Sequence, residues 1–113
     1  MRALERDGVL VRVFIGESDT WHHQPLATAL IERLRREGFA GATVFHGVAG
    51  FGAHSVLHTA SLLRLSQDLP VIIEIVDSPD RVPRLQEILD EMVSEGLVTM
   101  EKVQVLKYSA GGH

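Results

Sequence analysis

Two features of this chain have chemical range: six histidines and one glycine-rich run. The run is His46-Gly47-Val48-Ala49-Gly50-Phe51-Gly52. Glycines this closely spaced let backbone N–H groups turn toward one point and let an anion approach them. No Gly-Lys-Ser/Thr follows, so the run is not a P-loop, and it does not open a helix as a dinucleotide fingerprint must. The same glycines would equally serve as a hinge at the root of a long loop. Among the histidines, His54 and His58 lie four apart and would share a helix face, a spacing able to hold a metal. His22 and His23 sit beside Glu17 and Asp19, so nitrogen and oxygen ligands for zinc or nickel exist without cysteine. Adjacent histidines rarely aim at one ion, however, and no HExxH frame is present, so solvated loop histidines are the simpler reading. His113 ends a Gly-Gly tail that reads as frayed.

Catalytic arrangements are thinner. Glu17 and Asp19 flank Ser18, and Ser55 follows His54, yet neither set has a third partner that spacing can place. Short polar residues ahead of a helix ordinarily cap it. Glu87, Asp90, Glu91 and Glu95 read as a solvated helix face. The chain is expected not to be an enzyme.

Composition narrows the classes further. Eleven Lys and Arg against fifteen Asp and Glu give a net charge of −4, which argues against nucleic acid or an anionic membrane surface. One Trp, one Tyr and four Phe are too few for base-stacking platforms. Cysteine is absent, which removes disulfides and thiolate chemistry. No run approaches the roughly 18 apolar residues of a membrane span, and the first eight residues carry no signal-peptide core. At 113 residues and 45% hydrophobic, the expectation is one cytoplasmic domain. Its core would cover about 9–107, with a long loop at about 50–68 and a frayed tail at 109–113.

The elements that must hold these residues are legible from periodicity. Val9–Ile15 and Val71–Val76 are nearly continuous apolar runs, expected as central strands. Leu26, Leu30 and Leu34 recur every four residues and predict a helix over Pro25–Glu37, stopped by Gly38. A second helix is predicted over Val82–Glu95, with Asp80 as N-cap, Pro83 third and Gly96 ending it. Weaker strands are predicted over Ala42–Val48 and Lys102–Tyr108, and a short helix over Ser55–Leu65 within the long loop. The order β-α-β-β-α-β predicts an α+β, ferredoxin-like fold, a four-stranded antiparallel sheet with both helices on one face.

That arrangement leaves one sheet face open. Val11, Val13, Ile15, Val71, Ile73 and Ile75 belong under the helices. The other face still carries Leu10, Phe14, Ile72 and Val76, broken only by Arg12 and Glu74, which can pair across neighbouring strands. Soluble monomers seldom leave such a patch wet, so a homo-oligomer built on these six residues is expected. A long loop folded over the sheet is the alternative.

The motifs also carry a family resemblance. Gly16-Glu17-Ser18-Asp19, Pro25-Leu26, Gly41 to Gly47, Gly50-Phe51-Gly52-Ala53, His58-Thr59, Leu65 to Val71 and Gly96 to Val103 together resemble the PII-like family known as domain of unknown function 190. The likeness spans about Val9 to Leu106. It implies a ferredoxin-like domain related to PII signalling proteins, which form trimers, bind adenine nucleotides between subunits and act through the loop after the second strand. His46, Gly47, Gly50, Phe51, Gly52, Glu17, Arg64 and Lys102 are then the expected ligand-binding residues. A membrane transport protein is the implied partner, contacted without insertion into the bilayer. The chain departs from PII proteins at Ser94–Lys102, where their glycine- and lysine-rich phosphate loop is replaced by a segment with one lysine and acids on both sides. A mono- or diphosphate, or a cyclic nucleotide, therefore suits it better than a triphosphate. The alternatives are a metal-responsive trimer using His22, His23, His54 or His58, and a trimeric scaffold with no ligand.

Overall fold

A computed structural model describes residues 6–51 and 68–109. Six strands and two helices run in the order β1 (Asp7–Gly16), β2 (Thr20–Trp21), β3 (Gln24–Pro25), α1 (Leu26–Arg36), β4 (Ala42–His46), β5 (Pro70–Asp77), α2 (Val82–Met92) and β6 (Leu97–Gln104). The four long strands form one antiparallel sheet in the order β4-β5-β1-β6, and both helices pack on the same face. This is the ferredoxin-like α+β arrangement, with β1 and β5 central as their double-sided apolar content requires.

The core is the helix-covered face. Val11, Val13, Ile15, Val71, Ile73 and Ile75 are buried against Leu26, Ala29, Leu30 and Leu34 of α1 and Leu85, Ile88, Leu89 and Met92 of α2. Val13, Ile73, Leu30 and Ile88 are fully enclosed. The fourfold leucine spacing of α1 therefore points where the period says it should.

Four boundaries differ from the sequence expectation, each for a physical reason. Helix α2 stops at Met92 because Val93 turns to extended backbone, with φ −102° and ψ 103°, so that Leu97 can lie opposite Phe14. Asp80 is not the N-cap: it lies in a 3-10 turn, Pro79–Arg81, that leads into α2, and Pro83 takes the second helical position. The last strand is Leu97–Gln104 rather than Lys102–Tyr108, because the whole of 97–104 pairs with β1 from Phe14 back to Asp7. Its mixed pattern concealed it: an edge strand with seven of eight residues exposed keeps no clean alternation. Strand β4 ends at His46 because Gly47 bends over Pro70. The short helix expected over Ser55–Leu65 lies outside the described residues.

A small hairpin precedes α1. Thr20 pairs with Pro25 and Trp21 with Gln24, leaving His22 and His23 as the two turn residues. Both have positive φ, 47° and 69°, the backbone of a type I′ turn, which asparagine and glycine adopt with least strain. Trp21 stacks on His22 at 4.2 Å between ring centroids and packs against the core.

The helices are joined at one end by charge. Glu37, just past α1, accepts from Arg33 and from both Arg84 Nε (2.7 Å) and Arg84 Nη2 (2.8 Å). Arg33 also reaches Glu91 at 3.1 Å, and Arg84 reaches Glu87 at 3.3 Å, so the acidic face of α2 is partly committed to ion pairs rather than wholly solvated. Arg81 donates to the Glu37 carbonyl at 2.7 Å and lies over the Phe39 ring. Hydrogen bonds from Arg84 and then Arg33 hold the Glu37 carboxyl down at about 2. Among the described residues no helix is long and apolar enough to cross a membrane.

Two outcomes follow from these contacts. Replacing His22→Asn together with His23→Gly relieves left-handed strain and raises stability by about 1 kcal/mol in urea unfolding; an unchanged or lowered midpoint would contradict the turn assignment. For Glu37 the folded-state pKa lies below the ordinary 4.5, so its contribution is fully present above pH 4.5 and lost as pH falls toward about 2. Acid titrations of wild type and Glu37→Gln should accordingly differ most at neutral pH and converge across that window.

Candidate functional site

The end of the sheet where β1 and β4 finish and β5 begins gathers most of the sequence-predicted residues. Three backbone anchors organise it. Gly47 donates to the Pro70 carbonyl at 2.7 Å, Glu17 donates to the Leu69 carbonyl at 2.8 Å, and Leu26 donates to the Asp19 carbonyl at 2.8 Å. Asp68 completes the clamp by accepting from the Ser18 N–H (3.1 Å) and hydroxyl (3.0 Å). Asp19 accepts from the Gly16 N–H at 2.9 Å, so this short polar residue caps the turn after β1 rather than the helix. Both roots of the 47–69 connection are thus tied to one corner of the sheet.

Glycine is required here by close packing. A Cβ on Gly16 would lie 2.1 Å from the Asp68 carboxylate, and one on Gly47 would lie 2.7 Å from the Pro70 ring. The Gly47 N–H is already committed to Pro70, so the contribution of Gly47 at this corner is a tight bend. Phe51 projects outward and is 69% exposed. Gly52, His54, His58 and Arg64 lie outside the described residues.

A cleft of about 570 Å³ opens between this corner and α1. Ala27, Ile31, Val44 and Val71 form its apolar floor. Glu17, His46, Thr28 and Glu32 supply its polar groups. His46 Nδ1 stands 3.8 Å from Glu17 Oε2, bridging the ends of β4 and β1 across β5. This brings together two of the predicted ligand-binding residues, Glu17 and His46, and adds two that sequence reasoning missed. The two are Thr28 and Glu32, one turn apart on α1 and brought to the cleft by the packing of α1 beside β4.

Lys102 is placed elsewhere. It pairs with Val9, seven residues along β1 from Gly16 and so about 23 Å away in extended chain. Within one chain it does not meet His46. His22 and His23 occupy the hairpin turn, and no three potential metal ligands converge among the described residues.

The open sheet face is organised in cross-strand rows. The register places Phe45 beside Ile72, Ile72 beside Phe14, and Phe14 beside Leu97, one apolar row spanning all four strands. Phe45 is 48% exposed and Leu97 57% exposed at its two ends. The next row holds Thr43, Glu74, Arg12 and Thr99. Arg12 Nε donates to Glu74 at 3.0 Å and Arg12 Nη1 reaches Glu101 at 3.5 Å, the cross-strand pairing expected, joined by a second carboxylate. These contacts, Glu74 foremost, raise the Arg12 pKa above its ordinary value. Leu10 and Val76 form the third row.

The chain belongs to the DUF190 family, described as uncharacterized ACR, whose pattern it matches over residues 8–105. A UPF0166 protein of Aquifex aeolicus is 36% identical over 98 residues, 86% of this chain and 91% of the relative. Among solved structures, CPII of Thiomonas intermedia K12 bound to ADP and bicarbonate superposes with a TM-score of 0.62 at 22% identity, covering 88% of each chain. A second structure of CPII, a nitrogen regulatory PII-like protein bound to ADP, AMP and bicarbonate, gives 0.58 at 20% identity over 88% of each chain. The fold is therefore that of the PII-like proteins.

The close approach at Gly47 gives a direct check. Gly47→Ala should destabilise the fold by about 1–3 kcal/mol through overpacking, and Gly47→Ala with Pro70→Ala should recover most of that loss. A double-mutant cycle in denaturant measures both; strictly additive losses would show that the two residues are not in contact.

Proposed function

We propose that this chain is a cytoplasmic PII-like regulator: a homotrimer that senses an adenine mono- or diphosphate at clefts between its subunits. The segment after β4 then reports occupancy to a partner protein, for which a membrane transport protein is the candidate. The observation that carries this reading is the Phe45–Ile72–Phe14–Leu97 row. A four-strand apolar row with exposed ends, flanked by Leu10 and Val76, needs covering, and other copies of the same face supply a cover of matched chemistry. Arg12 keeps its charge satisfied there by Glu74 and Glu101 of its own chain.

Assembly also bears on the ligand. Glu17, His46 and Gly47 stand at the corner where β1 and β4 end, whereas Lys102 lies at the other end of the sheet. A cleft that uses all of them needs Lys102 from a neighbouring copy. With Glu17 at its border, the site favours fewer phosphate charges over more. The CPII structures, with ADP, AMP and bicarbonate bound, support the ligand class.

Sedimentation at micromolar concentration should return a trimer for the wild type. Phe14→Glu should weaken assembly by about 100-fold, equivalent to about 3 kcal/mol, since a carboxylate would be buried without a partner. Calorimetry should show AMP or ADP binding by the trimer, weaker ATP binding, and loss of binding in Phe14→Glu. A wild-type monomer that binds nucleotide with full affinity would overturn the reading.

A further inference from the structure

We propose that the sheet continues from copy to copy: β4 of one chain adds to β6 of the next as an antiparallel pair, with Leu97 opposite Phe45 and Met100 opposite Ala42. This seam belongs to the assembly proposed above and rests on that reading. Strand β6 is an edge of eight residues with no proline, glycine or bulge along its register with β1. Edge strands ordinarily carry such guards against pairing. Here the edge is apolar on both faces instead. Leu97 stands on the open face, while Val98 and Met100, opposite Val13 and Val11, stand on the helix side and are still 39% and 57% exposed. Stacking another sheet on the open face leaves those two wet. A strand added to the edge covers both faces at once, because its side chains alternate between them.

The hydrogen-bond ladder and the side chains select the same partner. Gly47 donates to the Pro70 carbonyl and Val105 to the Arg6 carbonyl, which fixes the alternation at both edges. Counting back from those bonds, Ala42 and Val44 on β4 and Val98 and Met100 on β6 turn their N–H and C=O groups away from the sheet. Both sets lie on the helix side, so the two edges join without reversing either face. Strands β4 and β6 run in opposite directions, so turning a copy about an axis along the strands brings them together antiparallel. Continuing the rows places Leu97 beside Phe45, Val98 beside Val44, Thr99 beside Thr43 and Met100 beside Ala42. Apolar meets apolar and threonine meets threonine. A slip of two residues either way sets Leu97 or Phe45 against a threonine. Three copies joined this way close a ring with their open faces inward. The register also leaves Lys102 opposite Ala40 of the neighbouring copy, away from His46, so the seam narrows the nucleotide cleft to residues at the corner.

The chain has no cysteine, so engineered thiols report without background. Thr43→Cys together with Thr99→Cys, both at exposed positions, should give covalent multimers when the assembled full chain is mildly oxidised. Within one chain the two thiols stand three strand spacings apart, about 14 Å, beyond disulfide reach. Replacing Thr99→Cys by Glu101→Cys moves the second thiol two residues out of register and should cut the cross-link about fivefold or more. Hydrogen exchange gives a readout without new thiols. The amides of Val44 and Met100 should exchange about tenfold or more slowly in wild type than in Phe14→Glu diluted to monomer. A wild-type trimer lacking either the cross-link or the slow exchange would overturn the seam and leave the trimer standing. Equal cross-linking at 99 and 101 would overturn the register. A wild-type monomer in sedimentation would overturn the seam and the assembly together.

Discussion

The constraint on which this structure rests is that its two central strands are apolar on both faces. Burying Val11, Val13, Ile15, Val71, Ile73 and Ile75 under α1 and α2 satisfies one side. The helices can do no more, since both lie on that side. Because β1 and β5 are antiparallel and in register from Val9–Asp77 to Gly16–Pro70, the remaining apolar residues are not scattered but stacked into rows. Strands β4 and β6 then lengthen those rows with Phe45 and Leu97. The fold that buries the core therefore builds the open apolar rows by the same hydrogen-bond ladder.

The corner at Pro70 shows how such a sheet can carry a loop without losing definition. Pro70 begins β5, where a missing N–H is tolerated, and its carbonyl fixes Gly47 at the exit of β4. Asp68 and Leu69 fix the turn after β1 in the same way. Two connections that are distant in sequence are held by three consecutive residues. Whatever the 52–67 segment contacts, its roots share one rigid origin with Glu17 and His46 at the cleft.

Charge is distributed with similar economy. The structural carboxylates of the helices are matched by arginines at the α1–α2 junction, and Arg12 on the open face is matched by Glu74 and Glu101. Glu17, 3.8 Å from His46, and Glu32 border a cleft with an apolar floor.

Much of this was legible in the sequence. The leucine period of α1, the β-branched runs of β1 and β5, the fold class, the two-sided sheet and the Arg12–Glu74 pair all follow from local patterns whose geometry is set by the backbone. The start of β6, the end of α2 and the His22–His23 hairpin did not. An edge strand needs no alternation, a helix ends where the next strand must begin, and histidine has no intrinsic preference for a type I′ turn. The cleft was half visible: Glu17 and His46 stood out by type, whereas Thr28 and Glu32 resembled ordinary surface residues of a helix. Only the packing of α1 beside β4 turned them inward to a shared space. Residue periodicity thus determined which faces are apolar, and tertiary structure decided which polar groups meet, because register and helix placement bring together residues with no spacing in common.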